Sequence, residues 1–139
     1  MLIKQISLFI ENRKGRLMEV TDILAKNNID IRALSIADTP NYGILHLIVD
    51  DTNKAEHILR ENKIIVSINS MISVSMPDRP GGLHEVLNVL NDNDLQIEYM
   101  YAFISHDPEK AYVLMRIVED LKAQNVLTEA GFVGLEKIN

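Results

Sequence analysis

Cysteine is absent from this 139-residue chain, so disulfides, thiolate metal sites and cysteine nucleophiles are excluded. Long apolar runs are absent too, since no stretch approaches the roughly 18–20 apolar residues of a membrane span. Met1 leads directly into the amphipathic segment Leu2–Ile10, with no basic region followed by an apolar one. Neither secretion nor membrane association is therefore expected, and the expected location is cytoplasmic. No basic footprint for nucleic acid exists in either half. Residues 1–70 hold 9 basic and 9 acidic side chains, and residues 71–139 hold 5 and 11, so the second half carries the whole formal charge of −6. That asymmetry reads either as drift among surface residues or as halves that differ in ligand or partner preference. Nothing resembles a linker or low-complexity tract, and a hydrophobic content of 47% indicates a folded soluble protein.

What is present is a repeat. Asn12–Ile31 recurs 66 positions later as Asp78–Ile97, with 8 identities in 20 ungapped positions: Arg13/Arg79, Gly15/Gly81, Leu17/Leu83, Glu19/Glu85, Val20/Val86, Leu24/Leu90, Asn27/Asn93 and Ile31/Ile97. The chain therefore reads as two copies of one small module, residues 1–70 and 71–139. Units of that size bury thin cores alone, so the copies are expected to pack on each other, on another chain, or both.

Hydrophobic spacing sets the element order. Ile6, Leu8 and Ile10 alternate as in a strand covered on one face, and Leu17, Val20, Ile23 and Leu24 follow a helical period that Asn27-Asn28 should end. Ile31–Ala37 and Tyr42–Val49 read as strands joined by a turn over Asp38–Asn41. Asp50-Asp51-Thr52 opens a helix carrying Ala55, Ile58 and Leu59, and Ile64–Ile68 supplies a short fourth strand. The second copy repeats the order with Ile72, Val74 and Met76, a helix at Leu83–Leu90, strands Ile97–Ile104 and Ala111–Ile117 around His106-Asp107-Pro108, a helix through Asp120–Leu127, and a last strand over Phe132–Ile138. The sequence thus predicts an α+β protein of two ferredoxin-like βαββαβ modules, with Asn69-Ser70 the one break between them. Ser7 and Phe9, and later Ser73 and Ser75, fall on the face away from the helices. Ile97, Tyr99, Tyr101 and Phe103 share one apolar face and Met100, Ala102 and Ile104 the other, so one of these faces is expected to pack against a domain or subunit.

Pro77-Asp78-Arg79-Pro80-Gly81-Gly82-Leu83, set between a strand and an amphipathic helix, resembles the first loop of ACT domains, and Glu11-Asn12-Arg13-Lys14-Gly15-Arg16-Leu17 is its counterpart. With the repeat, the resemblance covers essentially the whole chain and looks like a stand-alone tandem ACT protein. It implies regulatory modules that bind a free amino acid at an interface between modules or subunits. The residues it nominates are Asn12, Lys14, Gly15, Arg16 and Leu17 in the first copy, and Asp78, Pro80, Gly81, Gly82, Leu83 and the adjacent His84 in the second. Asn28-Ile29 and Asp94-Leu95, entering the second strand of each copy, are carried over as the complementary wall.

The chemistry of these residues is compatible with that role. Glycine lets a ligand approach backbone, a helix start offers peptide N–H groups to a carboxylate, and Asn12 or Asp78 has an oxygen for an ammonium. The same residues would equally make a tight turn capped by Asn12 or Asp78. The copies differ, since Lys14 faces Pro80 and Arg16 faces Gly82 in the alignment, which argues against two equal sites.

Catalytic and metal chemistry find little support. His46, His57, His84 and His106 lack metal-ligand spacing, no H-E-x-x-H occurs, and His84-Glu85 is an adjacent pair whose side chains diverge on a helix. Asp50-Asp51 and Glu119-Asp120 lie at helix entrances, where capping and first-turn charge explain them. No nucleophile elbow, P-loop or dinucleotide fingerprint is present. The expected function is a non-catalytic regulatory protein that binds a small amino acid, needs no cofactor, forms a homodimer, and acts on a regulated protein partner. The alternatives are a ligand-independent oligomerisation or protein-interaction module, and an enzyme with an unassigned polar site.

Overall fold

The computed structural model of the chain describes residues 1–11, 13–38, 41–103 and 107–136. In order, the elements are β1 (Leu2–Glu11), α1 (Arg16–Lys26), β2 (Ile31–Asp38), β3 (Tyr42–Val49), α2 (Thr52–Glu61), β4 (Val66–Pro77), α3 (Gly82–Asp92), β5 (Ile97–Phe103), β6 (Lys110–Ile117) and α4 (Asp120–Glu129). They form two βαββαβ modules of ferredoxin-like type. The chain divides into two compact units, one built on Lys4–Asn69 and the other on Ser70–Lys137 together with Met1–Ile3.

In the first unit the strand order is β2-β3-β1-β4, with β1 antiparallel to β3 and β3 antiparallel to β2. The alternation of β1 becomes a one-sided core: Ile6, Leu8 and Ile10 pack with Leu45, Leu47 and Val49 of β3, under Val20 and Leu24 of α1 and Ala55 and Leu59 of α2. Full burial of one such leucine stabilises the fold by about 1.5–3 kcal/mol. In the second unit the order is β4-β6-β5, and Ile72, Val74, Met76, Val113 and Met115 pack under Val86, Leu90, Ala123 and Leu127. Met1 and Leu2 pack against this second core, and the carbonyl of Met1 accepts from the Ser73 N–H at 2.8 Å.

Helices α1 to α4 end alike. In α1 the Ile29 N–H donates to the Leu24 carbonyl and the Asn28 N–H to that of Ala25, the paired bonds of a Schellman motif. Leu95/Leu90 and Asp94/Asn91 repeat this in α3, Ile64/Leu59 and Lys63/Arg60 in α2, and Phe132/Leu127 and Gly131/Thr128 in α4. The motif requires a left-handed residue, and Asn28, Lys63, Asp94 and Gly131 take it at φ 55, 60, 56 and 89°. Asn27, Asn62 and Asn93 each add a side-chain bond to a carbonyl four residues back, at 2.8 Å.

Several expectations need correction. Asn69-Ser70 is no break in secondary structure, because β4 runs uninterrupted through it. Those two residues make polar contacts instead: Asn69 Oδ1 accepts from Ser7 Oγ at 2.9 Å, and the Ser70 carbonyl accepts from Arg116 at 3.1 Å. The expected strand at Phe132–Ile138 is, among its described residues, a single bridge between Val133 and Ser75, while Ile138 lies outside them. Nor does Ile97 share a face with Tyr99, Tyr101 and Phe103. A bulge between Ile97 and Tyr99 turns Ile97 towards the helix-side core with Met100, leaving the aromatic residues beside Arg116, Leu114 and Tyr112. The same bulge occurs at Ile31/Ala33, 66 positions earlier. The hairpin turn expected at Asp38–Asn41 includes Thr39 and Pro40, which lie outside the described residues, as do Ile104 and His106 in the corresponding segment of the second copy.

Candidate functional site

Each repeated turn carries the chain from the end of a strand into a helix. Gly15 at φ 85°, ψ −7° is the N-cap of α1, and Gly81 at φ 90°, ψ −11° is the N-cap of α3. This left-handed conformation explains the recurrence of glycine, because a Cβ would be strained there. Among the described residues no side chain caps either helix, so Asp78 does not cap α3; its own N–H donates to the Glu109 carbonyl at 3.0 Å. Asn12 lies outside the described residues.

The recurring arginine and glutamate belong to the same device, which sequence reasoning passed over although both recur in step. Arg13 donates twice to Glu19, at 3.0 and 2.9 Å, bracing the turn against the first turn of α1. Arg79 and Glu85 form the equivalent pair in the second copy. Hydrogen bonds from Arg13 and then Arg16 hold the Glu19 carboxyl below its ordinary pKa. These pairs are solvent-exposed and orient the turn more than they stabilise the fold.

The two copies differ where the alignment differs. Gly82 is buried against the end of β4, and a Cβ there would collide with the Pro77 carbonyl oxygen, so no side chain fits. Arg16, in the corresponding position, carries a full side chain: its Nη1 donates to Glu19 at 3.0 Å, while its Nε is buried without a hydrogen-bond partner. Lys14, Asp78, Pro80, Gly81 and His84 are exposed, and Leu17 and Leu83 are 41% and 38% exposed. The turns thus present backbone and side chains to solvent without enclosing them.

Within one unit, the complementary residues do not join these turns. Asn28 and Asp94 stand at the far ends of α1 and α3, about 16 Å away for 11 residues at 1.5 Å each. Ile29 and Leu95 are 6% exposed and anchor the helix ends in their cores. Two cavities in the second unit follow this separation. One of about 540 Å³ lies beside the turn, between Pro77, Glu85, Lys110 and Phe132; the other, about 360 Å³, lies beside Asp94, Glu98 and Glu119.

A buried polar cluster in the first unit, formed by Gln5, Ser7, His46 and Asn69, was not foreseen beyond the placing of Ser7 away from the helices. Gln5 Nε2 donates to Ser7 Oγ at 3.1 Å and stands 3.2 Å from His46 Nδ1, which is also 2.9 Å from Ser7 Oγ. Burial pushes the His46 pKa down. At the helix entrances Asp51 caps α2 by accepting from the Lys54 N–H at 3.0 Å, whereas Glu119 makes no such bond to α4. Among the described residues no group of three or more His, Asp or Glu side chains could hold a metal ion, and no helix is long and apolar enough to cross a membrane.

Comparison with known proteins places these turns in a wider set. A family model described as "ACT domain pair" matches residues 1–137. A solved protein from Bacteroides thetaiotaomicron, BT0572, is 41% identical over 97% of this chain and 92% of its own, with a TM-score of 0.92. The ligand-free regulatory subunit of aspartate kinase from Thermus thermophilus aligns over 94% of this chain and 95% of its own at 16% identity and a TM-score of 0.64. Its counterpart from Thermus flavus does so over 94% and 95% at 16% identity and 0.58. At those identities the kinase subunits share the fold alone. No curated protein matches.

Proposed function

This chain belongs to the ACT domain family, and on that premise we propose that it is a non-catalytic regulatory protein that binds a free amino acid at a subunit interface. The observation that carries the reading is the pair of helix starts at Gly15, half-buried, and Gly81, exposed, neither capped by a side chain among the described residues. A ligand carboxylate would take the first-turn peptide N–H groups at Leu17 or Leu83, favoured by the positive end of the helix. Its ammonium would take Asp78, which is exposed, acidic and directly before the turn. Arg16 and Lys14 would add positive charge in the first copy, whereas in the second Pro80 would stiffen the turn and Gly82 would offer only backbone.

The separation of about 16 Å between each turn and its far helix end means that one unit cannot close around a small ligand with both. A second surface is needed, and a homodimer supplies it. The ligand would regulate by favouring one arrangement of subunits over another, which requires different affinity for the two. The regulated protein would be a separate partner.

Calorimetry against the proteinogenic amino acids tests this directly. Saturable heat from a subset of them is expected, and no binding at millimolar concentration would sink the proposal. A ligand-independent assembly module is the second reading, favoured by the exposed Leu34 and Ile36. It predicts an oligomer whose mass and stability ignore amino acids.

A further inference from the structure

Phe9 pairs with Ile44 of β3, and its N–H donates to the Ile65 carbonyl. Ser75 pairs with Tyr112 of β6, and its N–H donates to the Val133 carbonyl. Ser75 thus stands in the second copy where Phe9 stands in the first. Two residues further along, Glu11 lies opposite Tyr42 and Pro77 opposite Lys110, so Lys110 takes the place of Tyr42. The first copy ends this face of its sheet with two aromatic rings, Phe9 and Tyr42, 54% and 57% exposed. The second copy has no ring at either position.

Ser75 and Lys110 both line the cavity of about 540 Å³. That volume lies within the roughly 300–1,000 Å³ of small-molecule pockets. Its apolar wall is Met76, buried, and Phe132, half-buried, with Pro77 and Val133. Pro77 opens the repeated turn and Glu85 lies in the first turn of α3, so the cavity adjoins the helix start at Gly81. Its charges are largely engaged, since Glu85 is paired with Arg79, and Lys110 has Asp107 at 3.8 Å. Glu85 and Glu109 oppose an acidic side chain there and Lys110 a basic one, whereas an apolar side chain meets Met76, Phe132 and Val133. A methyl group would leave most of the volume unfilled, and a ring would restore what Ser75 and Lys110 leave out.

We propose that this cavity receives the side chain of the bound amino acid, that this side chain is a large apolar one carrying a ring, and that Ser75 in place of Phe9 confines the selectivity to the second copy. This rests on the amino-acid binding proposed above; it adds the class of ligand and the copy that selects it.

Calorimetry on the full chain with phenylalanine, alanine, glutamate and lysine tests this. Phenylalanine should bind at least about tenfold more tightly than the other three. Ser75→Phe, which rebuilds the ring of the first copy, should cut that preference to about threefold or less, and Phe9→Ala should leave it unchanged. Val133→Trp, at a wall position 62% exposed, should act like Ser75→Phe and serves if that variant fails to fold. A further readout needs no substitution in the protein observed. With methyl-labelled methionine in the wild type, and Met76→Leu used only to assign the signal, the Met76 methyl resonance should shift with phenylalanine and not with alanine. No binding of any amino acid would overturn the regulatory reading and this assignment with it. Alanine binding as tightly as phenylalanine, a preference that survives both Ser75→Phe and Val133→Trp, or an unmoved Met76 signal at saturating phenylalanine would overturn the cavity assignment alone.

Discussion

Gly82 packs so tightly against the carbonyl oxygen of Pro77 that no side chain can occupy its position, whereas Gly15 has open space around the place a Cβ would fill. Two repeated glycine turns thus depend on glycine for different reasons: backbone conformation at Gly15 and Gly81, and steric clearance at Gly82 alone.

Substitution separates the two causes. Gly15→Ala should cost roughly 1–2 kcal/mol, the strain of a left-handed L-residue, and Gly15→Asn noticeably less. Gly82→Ala should cost about 2–3 kcal/mol, since backbone must move to admit the methyl, and Gly82→Asn should do no better. Urea unfolding midpoints read both comparisons. Equal tolerance of alanine at the two positions would contradict the packing described.

Lys63 adopts a left-handed conformation at the C-terminal end of α2, where its N–H completes the helix cap. Lys63→Gly should therefore raise stability, by about 1 kcal/mol, because glycine adopts φ near 60° without the Cβ clash. A raised thermal midpoint is the expected result, and a lowered one would mean that the lysine side chain itself stabilises the cap.

His46 makes the first unit sensitive to acid. Its folded pKa is depressed by burial, so over the intervening pH range the unfolded chain binds more protons and stability rises with pH. The contribution is fully present above the unfolded value of 6.5 and is lost as pH falls from there through the depressed folded pKa. Urea midpoints from pH 8 to pH 5 should fall for the wild type and flatten in His46→Gln. Parallel slopes would show that other groups govern the decline.

Asp78 and Arg16 test which copy recognises a ligand. If Asp78 receives the ammonium, Asp78→Ala should weaken binding about tenfold, near 1.4 kcal/mol, with unfolding unchanged. Arg16→Ala should weaken binding only if the first copy also takes up ligand. Calorimetric stoichiometry distinguishes one site from two, and unaltered affinity in Asp78→Ala would remove that residue from the site.

The element order was readable because its signals are local. Alternation at Ile6, Leu8 and Ile10 and helical spacing at Leu83, Val86 and Leu90 each report a single covered face. The bulge at Ile97/Tyr99 escaped because an inserted residue leaves the apolar character of the strand intact while reversing which residues face the core. The two units do divide at Asn69-Ser70, but the continuity of β4 there was not legible, because Ser7 and Arg116 satisfy these polar residues within strand geometry. The glycine positions were legible from the repeat, but the collision that forbids a side chain at Gly82 depends on a neighbour across the turn. Asn28-Ile29 and Asp94-Leu95 recur for a reason internal to each module: they complete helix ends.

The unbroken β4 also constrains how this gene can change in length. Val66 and Ile68 feed one core, and Ile72, Val74 and Met76 feed the other, all from even-numbered positions. A single codon inserted between Val66 and Ile68, or between Ile72 and Val74, would turn one side of that half-strand out of its own core. Two codons would keep the phase. Length changes inside either half should therefore survive only in steps of two residues, an arithmetic that a surface loop does not impose.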